Sequence, residues 1–93
     1  MYVVVRRWTD AMALADVMRE RGDEVRALLS SVPGFAAYYA MQDGETVTTI
    51  TVCDTRDGID ESTRRARAWV QERLADAPIG APQVSEGQTF LAF

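Results

Sequence analysis

Residues 33–53 read PGFAAYYAMQDGETVTTITVC. Two β-rich runs, residues 35–42 and 45–53, flank Asp43-Gly44, a dipeptide that favours a two-residue type I′ turn because both residues tolerate positive φ. The stretch predicts an antiparallel hairpin. Counting outward from that turn sets Met41 opposite Thr46, Tyr39 opposite Thr48, Ala37 opposite Ile50 and Phe35 opposite Val52. Strand side chains alternate, so these eight share one face. Ala36, Tyr38, Ala40, Val47, Thr49, Thr51 and Cys53 share the other. The first set is bulky and apolar and is expected to meet helices. The second is small, Thr-rich and uncharged, and is expected to pack against another sheet instead of water.

On the N-terminal side, Val3, Val4 and Val5 are consecutive and β-branched, as in a strand buried on both faces, and residues 2–7 read as that strand. Thr9 or Asp10 is placed to cap a helix. Leu14, Met18, Val25, Leu28, Leu29 and Val32 recur at helical spacing to about residue 31. Gly22 lies within this run, where a glycine costs about 1 kcal/mol against alanine, and marks a bend or break. Pro33-Gly34 stops it. On the C-terminal side, residues 57–77 read as a second helix, with Ile59, Ala66, Trp69, Val70, Leu74 and Ala77 as its inward stripe. Pro78, Gly80 and Pro82 mark a loop, and a last strand runs from about residue 83 through Phe90, Leu91 and Phe93. The order is βαββαβ: a single α+β domain over residues 1–93, ferredoxin-like, with one antiparallel sheet and two helices on one face. Two helices cover one face of such a sheet, so the uncharged second face predicts a homodimer.

The chain has 93 residues and a net charge of -4, and every one of its ten basic residues is arginine. No strand or helix gathers them into a stripe. Nucleic acid and a polybasic membrane contact are therefore disfavoured, because both depend on neutralising phosphate. The apolar opening is interrupted at once by Arg6-Arg7 and is too short for a signal or membrane span. One cysteine, Cys53, permits no internal disulfide and suits a reducing compartment, so a cytoplasmic location is expected. The lack of Lys, His and Asn beside abundant Ala, Arg and Asp suggests a GC-rich bacterial source.

The strand, helix, Pro33-Gly34-Phe35, Tyr38-Tyr39, the Asp43-Gly44 hairpin and a helix carrying Ala68-Trp69-Val70 together resemble the dimeric α+β barrel superfamily, in particular small antibiotic-biosynthesis-monooxygenase-like proteins. The resemblance spans nearly the whole chain and rests on structural motifs. It implies a homodimer whose two sheets face each other. The activities it implies are cofactor-free oxygenation of aromatic substrates, haem degradation or muconolactone isomerisation. Haem-degrading relatives use a histidine ligand and an asparagine, and quinone-forming relatives use an asparagine. This chain has neither residue type, so only an aromatic and arginine set carries over.

Direct inspection for chemistry agrees. Without histidine and with one cysteine, no zinc spacing exists. Asp54, Asp57 and Asp60 flank Gly58, but Arg56 stands where a calcium ligand would be needed, and these acids read better as helix N-terminal residues. Cys53 has no histidine to activate it. No metal and no cofactor is expected. Candidate ligand-binding residues are Trp69, Tyr39, Met41, Trp8 and Arg6: aromatic walls with one cationic handle suit a flat organic molecule bearing an enolate or carboxylate. In this reading Tyr39, Met41 and Trp69 line a cleft between sheet and helices, and Trp8 closes its mouth. Three functions remain open: a metal-free oxygenase-like or isomerase-like enzyme acting on an aromatic or polyketide-type metabolite, a non-catalytic binder of such a ligand, and a structural dimer with a filled core.

Overall fold

The computed structural model describes residues 1–77 and 79–93. Pro78, expected in the loop before the last strand, lies outside the described residues. The elements run β1 (Tyr2–Trp8), α1 (Met12–Glu20), α2 (Gly22–Ser30), β2 (Phe35–Asp43), β3 (Thr46–Cys53), α3 (Arg56–Arg73) and β4 (Gln83–Gln88). The sheet order is β2-β3-β1-β4, with every neighbouring pair antiparallel. This is the expected ferredoxin-like order, with its first helix divided into α1 and α2. The break falls at Arg21, where the backbone leaves helical geometry (φ -116, ψ 35) just before Gly22. No helix among the described residues is long and apolar enough to cross a membrane.

The hairpin register differs from the predicted one. Asp43 pairs with Thr46, Met41 with Thr48, Tyr39 with Ile50 and Ala37 with Val52. The turn residues are Gly44 and Glu45. Gly44 takes φ 61 while Glu45 is not among the positive-φ residues, so glycine leads the turn, as a type II′ geometry demands. The shift is two residues, which leaves Met41, Tyr39, Ala37, Thr48, Ile50 and Val52 on one face. Phe35 alone changes sides: a bulge between Phe35 and Ala37 pairs it with Cys53 and turns its ring towards the helices.

The two faces are the reverse of the expected assignment. Along β3, Val47, Thr49, Thr51 and Cys53 are buried, and the residues between them are only half-buried. The small, Thr-rich face therefore lies beneath the helices. The bulky face is open: Tyr39 is 63% and Met41 60% exposed. Size explains the reversal. Helix axes pack close to a sheet only where the sheet side chains are short, and Trp8, Trp69, Leu14, Leu29 and Ile59 already take up much of the space between the layers.

The helices have identifiable local causes. Thr55 caps α3 by accepting from the Gly58 N–H at 3.2 Å, a role the sequence reading gave to the neighbouring acids. Neither Thr9 nor Asp10 caps α1. Its cap is Ala11, with no side-chain bond, while Asp10 takes φ 51 and the Ala11 N–H donates to Glu45 O at 2.8 Å. That bond pins the end of β1 to the hairpin turn. α3 stops at Arg73, short of the predicted residue 77. β4 stops at Gln88, and Phe90, Leu91 and Phe93 beyond it are exposed.

Candidate functional site

Alternation along β1 sends Val4, Arg6 and Trp8 under the helices and Arg7 to the open face. Arg6 is thereby carried into the middle of the molecule, 3% exposed. Its guanidinium is held by hydroxyls alone. Nη1 donates to Thr51 Oγ1 at 3.2 Å, and Nη2 donates to Thr63 Oγ1 at 2.6 Å and Ser62 Oγ at 3.3 Å. Nε is buried without an acceptor among the described residues. Among the described residues no carboxylate lies within ion-pair distance of it. Burial pushes its pKa down from the ordinary value, opposed at neutral pH by the field of Glu86.

A cleft of about 400 Å³ opens beside Arg6, between α3 and the segment leading into β4. Trp8, Ala66, Val70, Ile79 and Val84 give it apolar walls, and Arg6, Thr63, Arg67 and Gln71 supply its side-chain polar groups. Three other arginines of α3 are neutralised: Arg64 and Arg65 pair with Glu61, and Arg73 with Glu24. Arg67 forms no ion pair among the described residues, and it is the one that faces the cleft.

Trp69, two residues beyond Arg67, points to another side of α3 and packs on Val25 and Leu29. Its indole N–H donates to Glu24 Oε1 at 3.3 Å, and Arg73 and Arg21 close on the same carboxylate. These partners, Arg21 foremost, lower the Glu24 pKa to about 2. The ring of Trp69 also bounds a small void of about 20 Å³ with Trp8, Leu14, Tyr38 and Thr49. Thr49 Oγ1 is buried there near the Tyr38 phenol, without hydrogen-bond geometry to any partner. Burial pushes the Tyr38 phenol up and the Cys53 thiol up, so both stay protonated at neutral pH. A second, open groove of about 610 Å³ runs between α1–α2 and the outer strand β2, over Met18, Leu29 and Tyr38 with Arg19 and Arg26 among its lining residues.

Of the sequence candidates, the interlayer space brings together Arg6, Trp8 and Trp69. Tyr39 lies on the opposite side of the sheet, and Met41 reaches only the groove at the β2 edge. The anticipated cleft between Tyr39, Met41 and Trp69 therefore does not form, because the sheet itself stands between them. Thr49, Thr63 and Arg67 were not among the candidates, and Tyr38, an aromatic candidate beside Tyr39, is the tyrosine that faces the helices. Tyr38 and Thr49 followed from the alternation once the covered face was known. Arg67 had a signal in its spacing from Thr63 and Gln71, at i−4 and i+4 on one helix face. Among the described residues no three metal-ligating side chains gather where they would hold an ion.

No protein-family model matches this chain, and no curated protein matches it. Solved structures do. A protein of unknown function from Nitrosomonas europaea, NE2512, superposes with a TM-score of 0.76 at 16% identity, covering 99% of this chain and 91% of its own. The ActVA-Orf6 monooxygenase of Streptomyces coelicolor, in complex with nanaomycin D, gives 0.69 at 17% identity over 99% and 89%. SnoaB, a cofactor-independent oxygenase from Streptomyces nogalater, gives 0.68 at 14% over 98% and 94%. At these identities the likeness establishes the ferredoxin-like α+β fold, which proteins of known and unknown activity share.

Proposed function

We propose that the chain works as a homodimer in the cytoplasm, that its interlayer cleft binds a flat aromatic or polyketide-type molecule, and that it oxidises this molecule without a cofactor. The observation that carries this reading is the cleft of about 400 Å³ beside Trp8 and Arg6, which a structural dimer with a filled core has no reason to keep. The fold shared with SnoaB and ActVA-Orf6 supports the reaction class. In such a reaction a phenolic substrate and dioxygen give a quinone and water. One oxygen atom enters the ring, the other leaves as water with two substrate hydrogens, and the substrate supplies the electrons. This chain's part is to stack the ring against Trp8, orient it by the guanidinium edge and exclude bulk water.

One observation favours the second reading, a binder without turnover. No carboxylate or thiol lines the cleft, so nothing there takes up a proton. Oxygen uptake with phenols of one to three fused rings separates the two. Protein-dependent uptake above autoxidation is expected for the enzyme. Saturable quenching of Trp fluorescence with no uptake would identify the binder. Absence of saturable quenching with all of them would sink both.

A further inference from the structure

We infer that the cleft selects an aromatic molecule bearing an ionised oxygen, a carboxylate or phenolate, and that Arg6, Arg67 and Thr63 together form its anion seat. This rests on the reading of the cleft as an aromatic ligand site and specifies what that ligand must carry.

A buried cation without a counter-charge is costly, and proteins ordinarily place a carboxylate beside it. Here 14 acidic residues are available against ten arginines, yet none reaches Arg6 or Arg67 among the described residues. Four arginines do have a carboxylate: Arg21 and Arg73 share Glu24, and Arg64 and Arg65 share Glu61. Of the six without one among the described residues, Arg6 alone is buried, and Arg67 is the other that lines its cleft, where no acid stands with them. Glu86 on β4 acts on Arg6 through its field without forming an ion pair.

Donor geometry agrees. The hydroxyls around Arg6 accept from it, and neutral acceptors leave a guanidinium under-satisfied. Nε has no acceptor among the described residues. Thr63 Oγ1 accepts from Nη2 at 2.6 Å, which leaves its own proton for a second oxygen. Arg67 lies one turn further along the same helix face. An oxyanion between these groups meets two cations and a hydroxyl donor, and its ring then extends along Trp8 and Val70. A neutral alcohol in the same place leaves both cations uncompensated.

Calorimetric titration at neutral pH with 2-naphthoate and with its neutral counterpart 2-naphthylmethanol tests this. The carboxylate is expected to bind about ten- to a hundredfold more tightly, the range of a charge-assisted hydrogen bond. Arg6→Met should erase that preference while the melting temperature holds or rises, because methionine removes a buried unpaired charge. Arg67→Gln, on an exposed helix position that carries no folding risk, should reduce the preference independently. Equal binding of the two probes overturns the anion seat and leaves the aromatic cleft standing. Binding of neither overturns the cleft reading and the seat with it. A preference untouched by Arg67→Gln, or a clear fall in melting temperature for Arg6→Met, overturns the seat by making these arginines structural.

Discussion

Glu24 shows how one side chain ties packing to pH. It accepts from the Trp69 indole, Arg73 and Arg21, and so locks α3 against α2. Its folded pKa of about 2 lies below the ordinary 4.5, so the folded protein takes up this proton less readily than the unfolded chain. The stabilisation is complete above about pH 4.5 and fades as the pH falls towards 2. Glu24→Gln is therefore expected to lower the melting temperature at neutral pH and to flatten its decline between pH 4.5 and 2, measured by thermal unfolding across that range. Thr49 makes the opposite case. Its hydroxyl is buried without a partner, and Thr49→Val should stabilise the protein by about 1 kcal/mol in urea unfolding. A loss of that size would instead mean that the hydroxyl holds the Tyr38 phenol.

Each element carries one position on which its placement turns. α3 begins against the end of β3, and Gly58 makes that approach possible: a Cβ there would lie 3.0 Å from both the Cys53 Cβ and the Pro33 carbonyl oxygen. Neither atom is a flexible side-chain end. Gly58→Ala should cost about 1–3 kcal/mol by urea titration, the usual penalty of overpacking. The middle of α3 is held by Arg65, whose Nη1 donates to Leu28 O at 3.0 Å and to Ser31 Oγ at 2.8 Å at the close of α2. There it satisfies a helix-terminal carbonyl and complements the helix dipole. Because β1 enters between β3 and β4, its residue parity delivers Arg6 and Trp8 into the interlayer space, and α3 brings Thr63 and Arg67 to meet them.

The molecule as a whole leaves one broad face without cover. Val3, Val5, Ala37, Tyr39, Met41, Thr48, Ile50 and Val52 lie on the side away from the helices, and β4 is exposed throughout. An apolar sheet face in a 93-residue domain is the surface expected to join a second copy. Sedimentation at micromolar concentration should give a dimer. Ile50→Arg should give a monomer with an unchanged far-UV spectrum, because the residue lies in the middle of that face. A dimeric Ile50→Arg variant would place the interface elsewhere. Charge at Thr49, by contrast, would test folding rather than association, since Thr49 lies beneath the helices.

The order of elements, the hairpin and the division of its residues into two faces were legible in the sequence, because periodicity and turn chemistry are local. Val3–Val5, the Leu14-to-Val32 spacing and Gly44 each act within a few residues of themselves. The two-residue register error came from the same neighbourhood: Asp43-Gly44 and Gly44-Glu45 are both good turns, and the choice depends on how the strands continue. Which face the helices cover was not legible. Alternation separates Tyr39 from Tyr38 but carries no sign, and hydrophobicity misleads here because the larger side chains of the hairpin point away from the helices. The sign came from volume: Trp8, Trp69 and the buried leucines take up much of the space between the layers, so the small set Val47, Thr49 and Thr51 lies beneath them. The candidate site followed the same division. Trp8, Arg6 and Trp69 were readable as residue types. Their separation from Tyr39, the missing counter-ion of Arg6 and the approach of Arg67 depend on contacts between residues some sixty positions apart, and only packing brings those together.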